Sequence, residues 1–83
     1  MKHLWFIEYT RAGSESIVNS SIGLSSLAVA RHRGRVVTKL NGYDGFRILT
    51  KEAGKVEAPK VVEIHEVKYD SRGIHTWFTK EAK

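Results

Sequence analysis

An α+β fold is predicted for this chain, a small antiparallel sheet of about four or five strands with one helix packed on one face, in the order β(β)αβββ. Three observations carry it. Residues 4–10 and the second half of the chain hold short aromatic and β-branched runs bounded by turn signals. Only one stretch, residues 24–40, shows apolar residues at a helical period. The chain has 83 residues, enough for a single domain that buries roughly 60–65% of its unfolded surface.

Leu4 to Thr10 places Trp5, Ile7 and Tyr9 on one side and Leu4 and Phe6 on the other, which describes a central strand with both faces partly covered. Arg11 to Glu15 reads as a turn and Ser16 to Ser20 as a returning strand. Ser20, Ser21, Ser25 and Ser26 offer N-cap chemistry, so a helix begins between residues 21 and 26.

The end of that helix has two readings. Gly34 can close it, followed by a strand over 35–40, or lie inside it at a cost of about 1 kcal/mol relative to alanine. Asn41-Gly42 is the stronger stop. The pattern crosses Gly34 without a break of phase, favouring one helix over 24–40. In that helix Val29, Val36 and Leu40 share a face with Ala30 and Val37, and Arg31, His32, Arg35 and Lys39 fill the opposite arc. Arg33 falls among the apolar residues.

After the turn residues Asn41 to Gly45, Phe46 to Thr50 forms a strand, and residues 52–60 form a mobile connection of mixed charge. Val61 to Tyr69 is a strand whose broken alternation at Val61-Val62 suggests a bulge. Asp70 to Gly73 is a hairpin turn, Ile74 to Thr79 returns, and residues 80–83 fray. The expected core is Leu4, Phe6, Ile7, Val29, Val36, Ile48, Val62, Ile64 and Trp77.

Charge is the main functional signal. Residues 1–43 hold six Lys/Arg against two acids, whereas residues 44–83 hold eight against seven. Arg31, Arg33, Arg35 and Lys39 fall in one stretch with no acid among them. A helix that only solubilises tends to interleave Glu with Lys, so this run points to an anionic partner. Arg31, Arg35 and Lys39 at spacing i, i+4, i+8 form a ridge suited to phosphates, with His32, Arg33 and Tyr43 as accessory contacts. The primary expectation is therefore a small, basic, non-catalytic module contacting DNA or RNA backbone. The alternative is an inhibitor or adaptor of the kind phages and mobile elements encode, binding an acidic or nucleic-acid-handling protein surface.

Other chemistries have little support. His3, His32, His65 and His75 lack metal-pair spacing, and with no cysteine no thiolate site forms, so no metal or cofactor is expected. No Gly-x-Ser-x-Gly, P-loop or dinucleotide fingerprint occurs, and no enzyme is expected. The absence of cysteine fits a reducing, cytoplasmic setting. Glu8 interrupts the early apolar run before it resembles a signal peptide, and no run approaches the ~18 residues of a membrane span. A strand with two apolar faces in so small a sheet suggests a homodimer covering the second face.

Overall fold

A computed structural model describes residues 3–11, 14–19 and 23–81. Five strands, β1 (His3–Arg11), β2 (Ser14–Asn19), β3 (Gly45–Glu52), β4 (Lys60–Tyr69) and β5 (His75–Glu81), form one antiparallel sheet in the order β2-β1-β3-β4-β5. One helix, α1 (Leu27–Asn41), connects β2 to β3 and lies across β1 and β3. The expected α+β order is thus present. Residues 12 and 13, within the predicted turn, and the serines at 20 and 21 lie outside the described residues. β5 extends through Lys80 and Glu81, so the expected fraying begins too early.

Helix α1 runs through Gly34 without interruption, excluding a strand over 35–40. It starts after Ser26, whose carbonyl accepts the Ala30 N–H at 3.1 Å but whose hydroxyl forms no cap bond. It stops at Gly42, which adopts the left-handed conformation (φ 68°, ψ 30°) open to glycine and donates to the Thr38 carbonyl.

The helix meets the sheet along small residues. Ala30, Gly34 and Thr38, one turn apart, are its buried positions, with Leu27 and Val37 packed beside them. A Cβ on Gly34 would stand 2.4–2.6 Å from three carbons of the Phe46 ring, so only glycine lets the helix settle this close to β3. This close seating turns the larger β-branched residues away. Val29 is 47% exposed, Val36 40% and Leu40 79%, which removes Val29 and Val36 from the expected core.

The core itself comprises Ile7, Tyr9, Leu24, Ala30, Tyr43, Phe46 and Ile48. Strand register builds it: Tyr9 faces Phe46 and Ile7 faces Ile48, and on the far side of β3 Phe46 faces His65. Leu24 joins through a bridge to Trp5, with backbone hydrogen bonds of 2.9 and 2.8 Å. Val62 and Trp77 pack against this cluster as expected. Val62 does so because the β3–β4 register shifts at Ile48/Leu49, making it the extra residue of a bulge.

Strand alternation assigns Leu4, Phe6 and Ile64 to the opposite sheet face, where each is half-buried. They are therefore not part of the helix-side core that the sequence suggests. β1 is interior, flanked by β2 and β3, although β3 holds the middle place.

Candidate interaction surface

The basic residues of α1 separate into two groups. Arg31 and Arg35 lie on the flank toward β4 and β5, and both are engaged. The Arg31 guanidinium donates from Nε to Glu63 Oε1 at 2.9 Å and from Nη2 to Glu63 Oε2, a bidentate pair joining helix to sheet. The Arg35 guanidinium carbon stands 5.4 Å from the centre of the Trp77 ring, in cation–π geometry. The expected ridge of Arg31, Arg35 and Lys39 is therefore interrupted. Two of its three charges face partners within the chain.

Glu63 continues the connection inward. Its Oε1 also accepts from His65 Nε2 at 2.8 Å, and His65 Nδ1 lies 3.1 Å from the Thr79 hydroxyl, which donates to it. The Phe46 ring stacks on the imidazole at 4.4 Å. The Arg31 hydrogen bonds hold the Glu63 carboxyl down to about 2, against the opposing effect of burial and with further help from His65. A hydroxyl, an imidazole and a carboxylate in line have the connectivity of a nucleophilic relay. In this chain Arg31 also pairs with the carboxylate and His65 is only 2% exposed, and the line ties the helix to the sheet.

The remaining basic residues, His32, Arg33 and Lys39, are on the outward side of α1. Among the described residues none of their side chains forms a hydrogen bond or ion pair. Arg33 leans toward β1, where its charge counteracts the effect of burial, which pushes the Tyr9 hydroxyl up. Between these cations run the exposed residues Val29, Val36 and Leu40, at spacing i, i+7, i+11. Val29, His32, Arg33, Val36 and Val37 line a shallow depression in this surface.

Tyr43, expected as an accessory contact, lies in the core. It is buried, its ring 5.4 Å from that of Tyr9, and its backbone N–H donates to the Thr38 carbonyl at 3.1 Å. The turn that carries Tyr43 folds back under the helix terminus, so its place among turn residues does not expose it. Among the described residues no group of histidine and carboxylate side chains could hold a metal ion. Among them, too, no helix is long and apolar enough to cross a membrane.

Two features were missed in the sequence although their signals are present. Ala30, Gly34 and Thr38 mark a small-residue seam at i, i+4, i+8, overlooked because β-branched residues offered a more apolar face. Glu63 and His65, two apart in β4, share a sheet face and place polar groups where a core is needed.

No protein-family model, curated protein sequence or solved structure matches this chain.

Proposed function

We propose that this chain is a non-catalytic binding module that uses the outward face of α1 to dock on an apolar surface with an acidic rim on a partner protein. The observation that carries this reading is the exposed row Val29, Val36 and Leu40 set among His32, Arg33 and Lys39. Apolar side chains held in water gain free energy when a partner covers them, at roughly 25 cal/mol per Å². Phosphates offer them nothing. An amphipathic helix laid into a groove is read through anchors on successive turns, and Arg33 and Lys39 at its borders select acidic surroundings.

The nucleic-acid reading keeps the charge but loses its geometry. With Arg31 on Glu63 and Arg35 over Trp77, Arg33, Lys39 and His32 are the basic side chains of α1 that remain for a backbone, interrupted by valines and leucine.

The test compares the wild-type chain with a triple Val29→Ser, Val36→Ser, Leu40→Ser variant and with an Arg33→Gln, Lys39→Gln variant, each checked for folding by circular dichroism. Partner capture from a nuclease-treated lysate should be lost in the first variant, and in the second it should be weakened along with its salt sensitivity. Titration with single-stranded and duplex oligonucleotides at ~50 mM salt should show no binding, since backbone contacts are strongest there. Oligonucleotide binding indifferent to the triple serine substitution, with a salt slope near −0.9 per phosphate contacted, would overturn the reading.

A further inference from the structure

Among the described residues, the last strand has an outer edge with nothing beside it. Natural sheet edges are blunted by bulges, prolines, charged side chains or covering elements. β5 carries charge only at its C-terminal end, Lys80 and Glu81, and otherwise lacks these devices: it pairs with β4 over all seven residues without a register step, contains no proline, and lies away from α1, which covers β1 and β3. The other edge strand, β2, meets its neighbour through a register shift at Thr10/Arg11.

The direction of the free backbone groups follows from the hairpin. The Ile74 carbonyl accepts from the Asp70 N–H at 3.1 Å, and the Ile74 N–H donates to Asp70 Oδ1 at 2.9 Å, so Ile74 directs its backbone toward β4. Alternation in an antiparallel ladder then points Thr76, Phe78 and Lys80 inward and leaves the N–H and C=O groups of His75, Trp77, Thr79 and Glu81 aimed outward.

We propose that β5 pairs antiparallel with β5 of a second copy, about a two-fold axis at Phe78, making one continuous sheet of two chains. Centring on Phe78 uses all seven residues of the strand. Trp77 then exchanges hydrogen bonds with the partner's Thr79, and His75 stands opposite the partner's Glu81. Thr76 faces the partner's Lys80, so no like charges oppose one another. On the sheet face away from α1, Phe78 is 50% exposed and carries the Lys68 ammonium 5.7 Å from its ring centre. The axis makes it a non-hydrogen-bonded pair with its own copy, the closer type of cross-strand contact, and covers that exposed ring.

The chain contains no cysteine, which permits a direct test. Phe78→Cys places one thiol on the axis at a Cα separation of about 4.5 Å, inside the range a disulfide spans. Mild oxidation should yield a covalent dimer, whereas Val56→Cys, fully exposed in the β3–β4 connection, should not. In a second arm, His75→Glu puts like charges at both ends of the pairing and should weaken self-association by roughly tenfold, and adding Glu81→Lys in the same chain should restore it. A wild-type chain that sediments as a monomer at about 1 mM would overturn the proposal. So would cross-linking of Phe78→Cys no faster than Val56→Cys, a dimer indifferent to the charge exchange, or an edge that accepts only an added foreign strand.

Discussion

Arg31 on the helix and Glu63 on β4, 32 residues apart in sequence, are joined by two hydrogen bonds, and the same carboxylate accepts a third from His65. Because the pair links α1 to a strand it does not cover, it fixes the helix against sliding across the sheet. Arginine in an acid-free run of sequence looked like an unpaired charge, yet its counter-ion comes from the far half of the chain.

Acid should unfold the protein through Glu63. Its carboxyl is held near 2 in the folded chain against an ordinary value of 4.5. A group with a depressed folded pKa contributes stability that is full above the unfolded value and lost as pH falls through the folded one. The wild-type thermal midpoint should therefore decline as pH falls from about 4.5 toward 2. Glu63→Gln should be less stable at pH 7 and show a flatter acid limb. Equal pH dependence in the two proteins would refute the assignment.

Gly34→Ala should destabilise, opposite to its usual effect in a helix. Alanine gains up to about 1 kcal/mol of helix propensity over glycine, but the added methyl meets the Phe46 ring, and overpacking costs about 1–3 kcal/mol. Denaturant unfolding should show a net loss, and Phe46→Leu combined with Gly34→Ala should recover part of it. A more stable Gly34→Ala protein would mean that the helix can lift freely.

Thr38→Val should stabilise. The Thr38 hydroxyl is fully buried and has no hydrogen-bond partner among the described residues, so a methyl of similar shape removes a desolvation cost of about 1–3 kcal/mol. A raised thermal midpoint checks this. A lowered one would reveal a bond made by the hydroxyl.

Phe46→Ala should cost roughly 3–5 kcal/mol and abolish cooperative unfolding, since the ring is fully buried and touches Tyr9, His65 and Trp77. Phe6→Ala, on the half-buried opposite face, should cost less. Equal losses would place both rings in one core.

The order of strands and helix along the chain, and the turns at 41–45 and 70–73, were legible in the sequence because they depend on local chemistry. Asp70 accepts from the Arg72 and Ile74 backbones at 2.8 and 2.9 Å, as an aspartate opening a hairpin should, and Gly42 ends the helix as a left-handed cap. The identity of the buried helix face was not legible. Hydrophobicity favoured Val29, Val36 and Leu40, and the competing consideration, how near a helix axis can come to a sheet, depends on Phe46 filling the space above β3. The candidate surface was half legible for the same reason: its cations were named, while two of its three apolar anchors, Val29 and Val36, were expected in the core and Arg31 and Arg35 were counted as free.

The small-residue seam of α1 also separates two kinds of change. Ala30, Gly34 and Thr38 carry the helix on the sheet, while Val29, Val36 and Leu40 keep 47%, 40% and 79% of their surface in water. Substitutions along the outer row can then be sampled singly, each expected to alter stability by no more than about 0.5 kcal/mol. Recognition can be rewritten on this helix, turn by turn, over an unchanged scaffold.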